Sequence, residues 1–295
     1  MMINKLLIAI IPLVLGGCVP KKTTEVASII NVSIVPQKFF IEQMVGDRYQ
    51  VNVVLEKGAN HETYEPSPRQ MMLLEEAPLY LMLCHNGFDQ PWVDKLMARH
   101  PDLKVVDLSA GIQLLAGDAC DHGDNHHHDH HHAVDPHIWI APSTAKRLVE
   151  NLKDALLQNF PHDSVLIVDG YQRLRSKMDS VDARYARELK PHAGKSFMVY
   201  HPATSYLARD YALNEISIES DGKEPSVARL KELIEQARIE DVNMILMQKE
   251  FDERHVQVLA QETGASVVAF DPMSENWFDF ADSLLRQFTE NLSHP

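Results

Sequence analysis

Three imidazoles and one carboxylate, drawn from four separate stretches, are the side chains whose types and settings suit metal chemistry. His201 follows the apolar run Phe197-Met-Val-Tyr200 directly, and Asp271 follows Ser266-Val-Val-Ala-Phe270 in the same way, with Pro272 closing the run. In open α/β sheets, ligands bind beyond the carboxyl ends of the strands, so both are well placed. His61 lies after another candidate strand, in the polar, proline-bounded loop Gly58-Ala-Asn-His61-Glu-Thr-Tyr-Glu65-Pro66, and His137 sits in Asp135-Pro-His137-Ile-Trp139. A lone histidine is more often a surface or satisfied core residue than a ligand, so the weight falls on position. Two of the four come from each half of the chain. Meeting in a cleft between halves, they would form a closed four-coordinate site, a donor set that suits Zn²⁺ and disfavours Mg²⁺ or Ca²⁺. Glu62 and Glu65 are alternative oxygen ligands, or partners that orient His61. His85, His100, His162, His192, His255 and His294 read as surface or supporting residues.

Seven of the sixteen histidines crowd into one stretch: His122, His126, His127, His128, His130, His131 and His132. The segment 118–132 has no apolar residue able to join a core, which predicts a mobile loop. Its histidines are candidate auxiliary metal ligands, with Cys120 a weaker soft donor. Nothing in the segment fixes them in one geometry, so its sites should be weaker than a preformed cleft.

The elements that must position the four residues are legible as alternating patterns. Short apolar or β-branched runs at Ile29–Val35, Val51–Leu55, Leu79–Cys84, Lys104–Asp107, Ser196–Tyr200, Ile216–Glu219, Met244–Met247 and Ser266–Phe270 read as strands. Helical patterns fall near 37–45, 67–76, 91–99, 225–239, 252–263 and 275–291. Strands alternating with helices of this length imply parallel sheets in an α/β architecture. Between two four-strand blocks, apolar residues recur at Ile167, Tyr171, Leu174, Met178, Val181, Tyr185 and Leu189, one face of a long helix. The expected fold is therefore two similar lobes with mainly parallel sheets, joined by one rigid helix, with the metal site in the cleft. The expected boundaries are an N-terminal lobe 27–162, a linking helix 163–190 and a C-terminal lobe 191–295. Trp92, Trp139 and Trp277 should pack the lobes.

Composition narrows the function classes. Hydrophobic residues make up 45% and charged residues 24%, ordinary globular usage. The 28 Lys and Arg against 42 Asp and Glu give a net charge of −14, which disfavours nucleic acid or anionic lipid as a partner. Beyond the N-terminus no apolar run is long enough to span a bilayer. Residues 1–17 have the charged, apolar and small-residue order of a secretory signal. Leu15-Gly-Gly-Cys18 resembles the bacterial lipobox, which makes Cys18 a lipidation site and 18–26 a tether. Cys84 ends a buried-strand pattern, and whether it could pair with Cys120 depends on the fold.

Taken together, the lipobox, His61-x-x-Tyr64-Glu65-Pro66, Asn86-Gly87 followed by Trp92, Asp135-Pro136-His137-x-Trp139, His201-x-Ala203-x-x-Tyr206, Gly222-Lys-Glu-Pro225 and Asp271-Pro272 resemble the zinc/manganese-type solute-binding lipoproteins of bacterial ABC importers. The resemblance spans nearly the whole mature chain and rests on the order and spacing of these motifs. An acidic, histidine-rich loop before Asp135 is typical of zinc-importing members. The resemblance implies His61, His137, His201 and Asp271 as ligands. Manganese-selecting members tend to have a carboxylate at the position of His201, so the cargo implied is Zn²⁺, with Mn²⁺ an alternative. Asn60, Pro202 and Thr204 depart from the usual pattern beside the first and third histidines, which bears on affinity. The implied protein is no enzyme. It is a membrane-anchored, extracytoplasmic monomer that delivers metal to an ABC importer permease and its ATPase, on the periplasmic side of a Gram-negative cell or at the surface otherwise. Two other readings compete. A zinc hydrolase would use Glu62 or Glu65 as general base, but a fourth ligand from Asp271 would close the position that catalytic zinc keeps open. A surface zinc buffer or adhesin would rely on the histidine-rich loop and bind many weak equivalents.

Overall fold

A computed structural model describes residues 28–55, 58–59, 64–84, 89–117, 134–219, 223–249 and 254–293. Expectations for residues 1–17, Cys18, the tether to 26, His61, Glu62, His85, Cys120 and the histidine-rich segment fall outside these residues.

The N-terminal sheet contains β1 (Ile29–Val32), β2 (Gln50–Val53), β3 (Leu79–Met82) and β4 (Lys104–Asp107), all parallel in the order β2-β1-β3-β4. The C-terminal sheet repeats that order as β6-β5-β7-β8, from β5 (Ser196–Val199), β6 (Asn214–Ser217), β7 (Met244–Gln248) and β8 (Ser266–Phe270). Parallel neighbours need long crossovers. These are α1 (Val35–Val45), α2 (Pro68–Leu74) and α3 (Gln90–Arg99) in the first lobe, and α6 (Ser205–Asp210), α7 (Val227–Ile239) and α8 (Arg254–Thr263) in the second. Between the lobes run α4 (Pro142–Asn159) and the 26-residue α5 (Ser164–Leu189), and α9 (Trp277–Asn291) follows β8. The two-lobed parallel α/β architecture with one long helix is therefore the architecture expected from the sequence.

Several details differ from expectation: β6 begins at Asn214, two residues ahead of the expected Ile216, and α4 and α6 lie where no helix was expected. The first strand stops at Val32, because the Gln37 side chain accepts from the Ser33 and Ile34 backbone N–H groups at 2.9 Å each and turns the chain into α1. The apolar stripe of α5 buries Gly170 where Tyr171 was expected; Tyr171 is half-buried under the Lys153 ammonium, 4.8 Å from its ring centre. At Gly170 an added Cβ would lie 1.8 Å from the Met44 carbonyl oxygen, so α1 and α5 cross at backbone contact.

That crossing matters because α5 packs on α1, α4 and α9 at once. One continuous core runs from Ile30 and Phe40 of the first lobe through Leu174 and Tyr185 of α5 to Phe197, Trp277 and Phe288 of the second. A smaller core under α7 and α8 covers the other face of the second sheet. The lobes are thus joined by shared burial, not by a tether alone. Among the described residues no helix is long and apolar enough to cross a membrane.

Candidate metal centre

Each sheet has the same switch point, where the chain leaves the first strand for opposite sides. In the second lobe this crevice lies between β5 and β7, and His201 sits two residues past β5, only 3% exposed. Its Nδ1 is hydrogen-bonded to Oε1 of Glu219, which lies two residues past the neighbouring β6 and is equally buried. The Gln248 side chain, at the end of β7, donates to the His201 carbonyl at 3.3 Å. In the first lobe the equivalent crevice is filled by Asp89. Its carboxylate accepts from the Leu83 backbone N–H at 2.9 Å and from the Ser33 hydroxyl, and burial raises its pKa to about 6.

His137 enters from the segment preceding α4. Asp135 Oδ1 accepts both the His137 backbone N–H, at 2.9 Å, and Nδ1, at 2.8 Å. The spacing of two residues, with Pro136 between, lets one carboxylate cap the turn and orient the ring together. Burial holds the His137 imidazole below its ordinary pKa against the opposing pull of Asp135, which keeps it neutral and able to ligate.

The rings of His137 and His201 meet at 5.1 Å between centres, inclined at 71°. These two positions come from opposite halves of the chain. In both, a carboxylate holds Nδ1, the arrangement that fixes the tautomer presenting Nε2 to a metal. Asp271 follows β8, half-buried, with Oδ1 accepting from the Met273 backbone N–H at 3.1 Å. Its turn is pinned to the His137 segment, because the Trp139 indole donates to the Pro272 carbonyl at 2.8 Å, and the Trp277 indole donates to the Trp139 carbonyl at 2.7 Å. Both tryptophans are buried and pack the lobes, as does Trp92, which meets the Tyr64 ring edge-on at 5.5 Å. Tyr64, three residues after His61, also accepts from Gln70 at 2.6 Å, while Glu65 is exposed. Among the described residues no group of three or more His, Cys, Asp or Glu side chains is gathered for a metal; of the candidate ligands, His137 and His201 are the two whose rings meet. Cys84 is a free, buried thiol.

Sequence reasoning left Asp135 and Glu219 without roles. The rule that picked out His201 also applies to Glu219, a carboxylate at the carboxyl end of a strand. Asp135-Pro-His137 carried the spacing of an Asx turn.

The family profile described as "Zinc-uptake complex component A periplasmic" (ZnuA) matches residues 30–291. The zinc-binding lipoprotein AdcA of Streptococcus pneumoniae is 30% identical over 92% of this chain and 55% of its own length. The chain thus spans about half the length of such curated relatives. The high-affinity zinc uptake system protein ZnuA of Bacillus subtilis is 27% identical over 78% of this chain and 73% of its own. A crystal structure of a zinc-bound ZnuA deletion mutant superposes with a TM-score of 0.81 at 30% identity, covering 91% of this chain and 99% of the other. With both lobes, the linking helix and residues 30–291 matched, this chain belongs to the periplasmic zinc-uptake component A family.

Proposed function

We propose that this protein captures extracytoplasmic Zn²⁺ in the cleft between its lobes and delivers it to an ABC-type importer permease powered by its ATPase. The observation that carries the reading is the His137–His201 pair, buried at the lobe junction, with a carboxylate on each Nδ1. His61 and Asp271 complete the ligand set, and the negative charge of Asp271, Asp135 and Glu219 offsets the cation. Nitrogen donors at three positions favour zinc over the harder manganese. Four protein ligands leave no place for a reactive water, so the protein binds and releases without catalysis. Residues 1–17 act as a signal, Cys18 carries the lipid and 18–26 the tether of a monomer whose lobes are 27–162 and 191–295, bridged by 163–190. The zinc-binding names of the relatives at 30% and 27% identity support this reading.

Protein stripped of metal, titrated against a chromophoric chelator with Zn²⁺ and then Mn²⁺, tests it. One tight zinc equivalent, lost in His137→Ala and His201→Ala, is expected, with manganese much weaker. Only multiple weak equivalents would favour a surface buffer, and zinc-dependent ester hydrolysis would favour an enzyme.

A further inference from the structure

The two histidines belong to different lobes, yet their rings meet at 5.1 Å. A physical link should set that spacing, and one side chain supplies it. Four residues after His201 the chain enters α6, whose start is fixed by the half-buried Glu215 carboxylate. That carboxylate accepts the Thr204 backbone N–H at 2.9 Å, the Ser205 hydroxyl at 2.8 Å and the Thr204 hydroxyl. The first turn of α6 carries Tyr206, fully buried. Its hydroxyl donates to the Asp135 carbonyl at 2.6 Å and accepts from the Leu115 backbone N–H at 3.2 Å. Asp135 and Leu115 are themselves joined, Asp135 N–H to the Leu115 carbonyl at 3.0 Å, beside an Ala116–Val134 antiparallel bridge. One turn on, the Arg209 guanidinium lies 5.1 Å from the Tyr206 ring centre and donates to the Gln113 carbonyl at 2.8 Å. A helix of the second lobe therefore grips the segment that carries Asp135, and Asp135 orients His137.

Resting on the zinc-binding reading above, we infer that Tyr206 is a positioning residue for the metal centre: its hydroxyl ties the backbone of Asp135 to the helix that begins just after His201, and so sets His137 against His201. The phenol suits the task. Burial pushes its pKa well above the ordinary value, so it stays a neutral donor near neutral pH. The outer partners of metal-ligating histidines commonly contribute about 10–100-fold in affinity, and a residue that holds such a partner acts through the same chain.

Tyr206→Phe removes the hydroxyl and keeps the ring, its packing and its contact with Arg209, so the variant folds. In the full protein, zinc affinity by chelator competition and the visible ligand-field bands of the Co²⁺-loaded form are measured for the parent, Tyr206→Phe, Tyr211→Phe, Asp135→Asn and the Tyr206→Phe/Asp135→Asn double variant. Tyr206→Phe should weaken zinc by about 10-fold or more and alter the cobalt bands. Tyr211→Phe, which removes a hydroxyl bonded to Asp182 of α5 and leaves the Tyr206 bonds, should change neither by more than a few-fold. The double variant should lose little more than the worse single one, because both act on the same ring. Parent-like affinity and bands in Tyr206→Phe, or fully additive losses in the double variant, would overturn the inference, even if the urea midpoint falls. Absence of a tight zinc equivalent in the parent would instead overturn the function proposed above.

Discussion

Replacing Gly170 by Ala probes how α5 holds the lobes together. A Cβ at this position would lie 1.8 Å from the Met44 carbonyl oxygen, 2.6 Å from its carbon and 2.7 Å from the Met44 Cα. All three are backbone atoms of α1, so no rotamer change relieves the clash. Ordinary carbon contacts begin near ~3.5 Å, so the helices must part by roughly 1.5 Å or α5 must bend. Such a gap strips a large share of the dispersion energy from the crossing, and overpacking of this kind typically costs about 1–3 kcal/mol. Against it stands the gain of about 1 kcal/mol for Gly to Ala inside a helix. With a backbone clash the upper end of the overpacking range applies, which leaves a net loss of about 2 kcal/mol. At about 2.1 cal/mol/K of unfolding entropy per residue, a chain of 295 residues then loses about 3 °C in Tm. Urea unfolding of the metal-free protein, with an unchanged slope, is the assay. At a helix site without this crossing the same substitution stabilises, so the sign alone decides. An unchanged or raised midpoint would refute the close α1–α5 contact.

Glu219→Gln removes the charge on His201 Nδ1 and should weaken zinc by about 10–100-fold; a parent-like chelator titration would show that the carboxylate does not tune the ligand. His201→Glu exchanges a borderline nitrogen for a hard oxygen, so competition titrations should show weaker zinc and a smaller zinc-over-manganese preference. If zinc binding is untouched, His201 is not a ligand. Burial raises Glu215 from 4.5 to about 7. The folded state then holds the proton that the unfolded chain has lost, and this group's contribution to stability falls as pH rises from about 4.5 to 7, by up to about 3 kcal/mol. Urea midpoints at pH 5 and pH 8 should therefore fall more in the parent than in Glu215→Gln; equal falls would sink the argument. Deleting Asp121–His132 should leave one tight zinc per chain in a titration and abolish weaker equivalents. Loss of the tight one would place a primary ligand in that segment.

Much of this architecture is legible in the sequence itself. All eight strands overlap the expected runs, β6 two residues earlier than expected, and the wholly buried β3, β5 and β7 read most clearly because strands covered on both faces need mostly apolar residues. The stripe from Ile167 to Leu189 announced α5, since only one face of that helix reaches a core. Helix α4 went unread although Ala145, Leu148, Val149, Leu152, Ala155 and Leu156 carry the same periodicity, and six-residue α6 is too short to show any. The switch-point rule placed His201 just past the carboxyl end of β5. Local pattern cannot say which distant groups will touch. His137 and His201, 64 positions apart, meet because a shared core and the Trp139–Pro272 bond close the lobes on each other. Glu219 reaches His201 because β5 and β6 pair in register, and Tyr206 reaches Asp135, 71 residues away, because α6 faces the opposite lobe. The types of the candidate side chains are written in the chain; their orientation is a property of long-range packing, where hydrogen bonds shielded from water hold each ring to one pose.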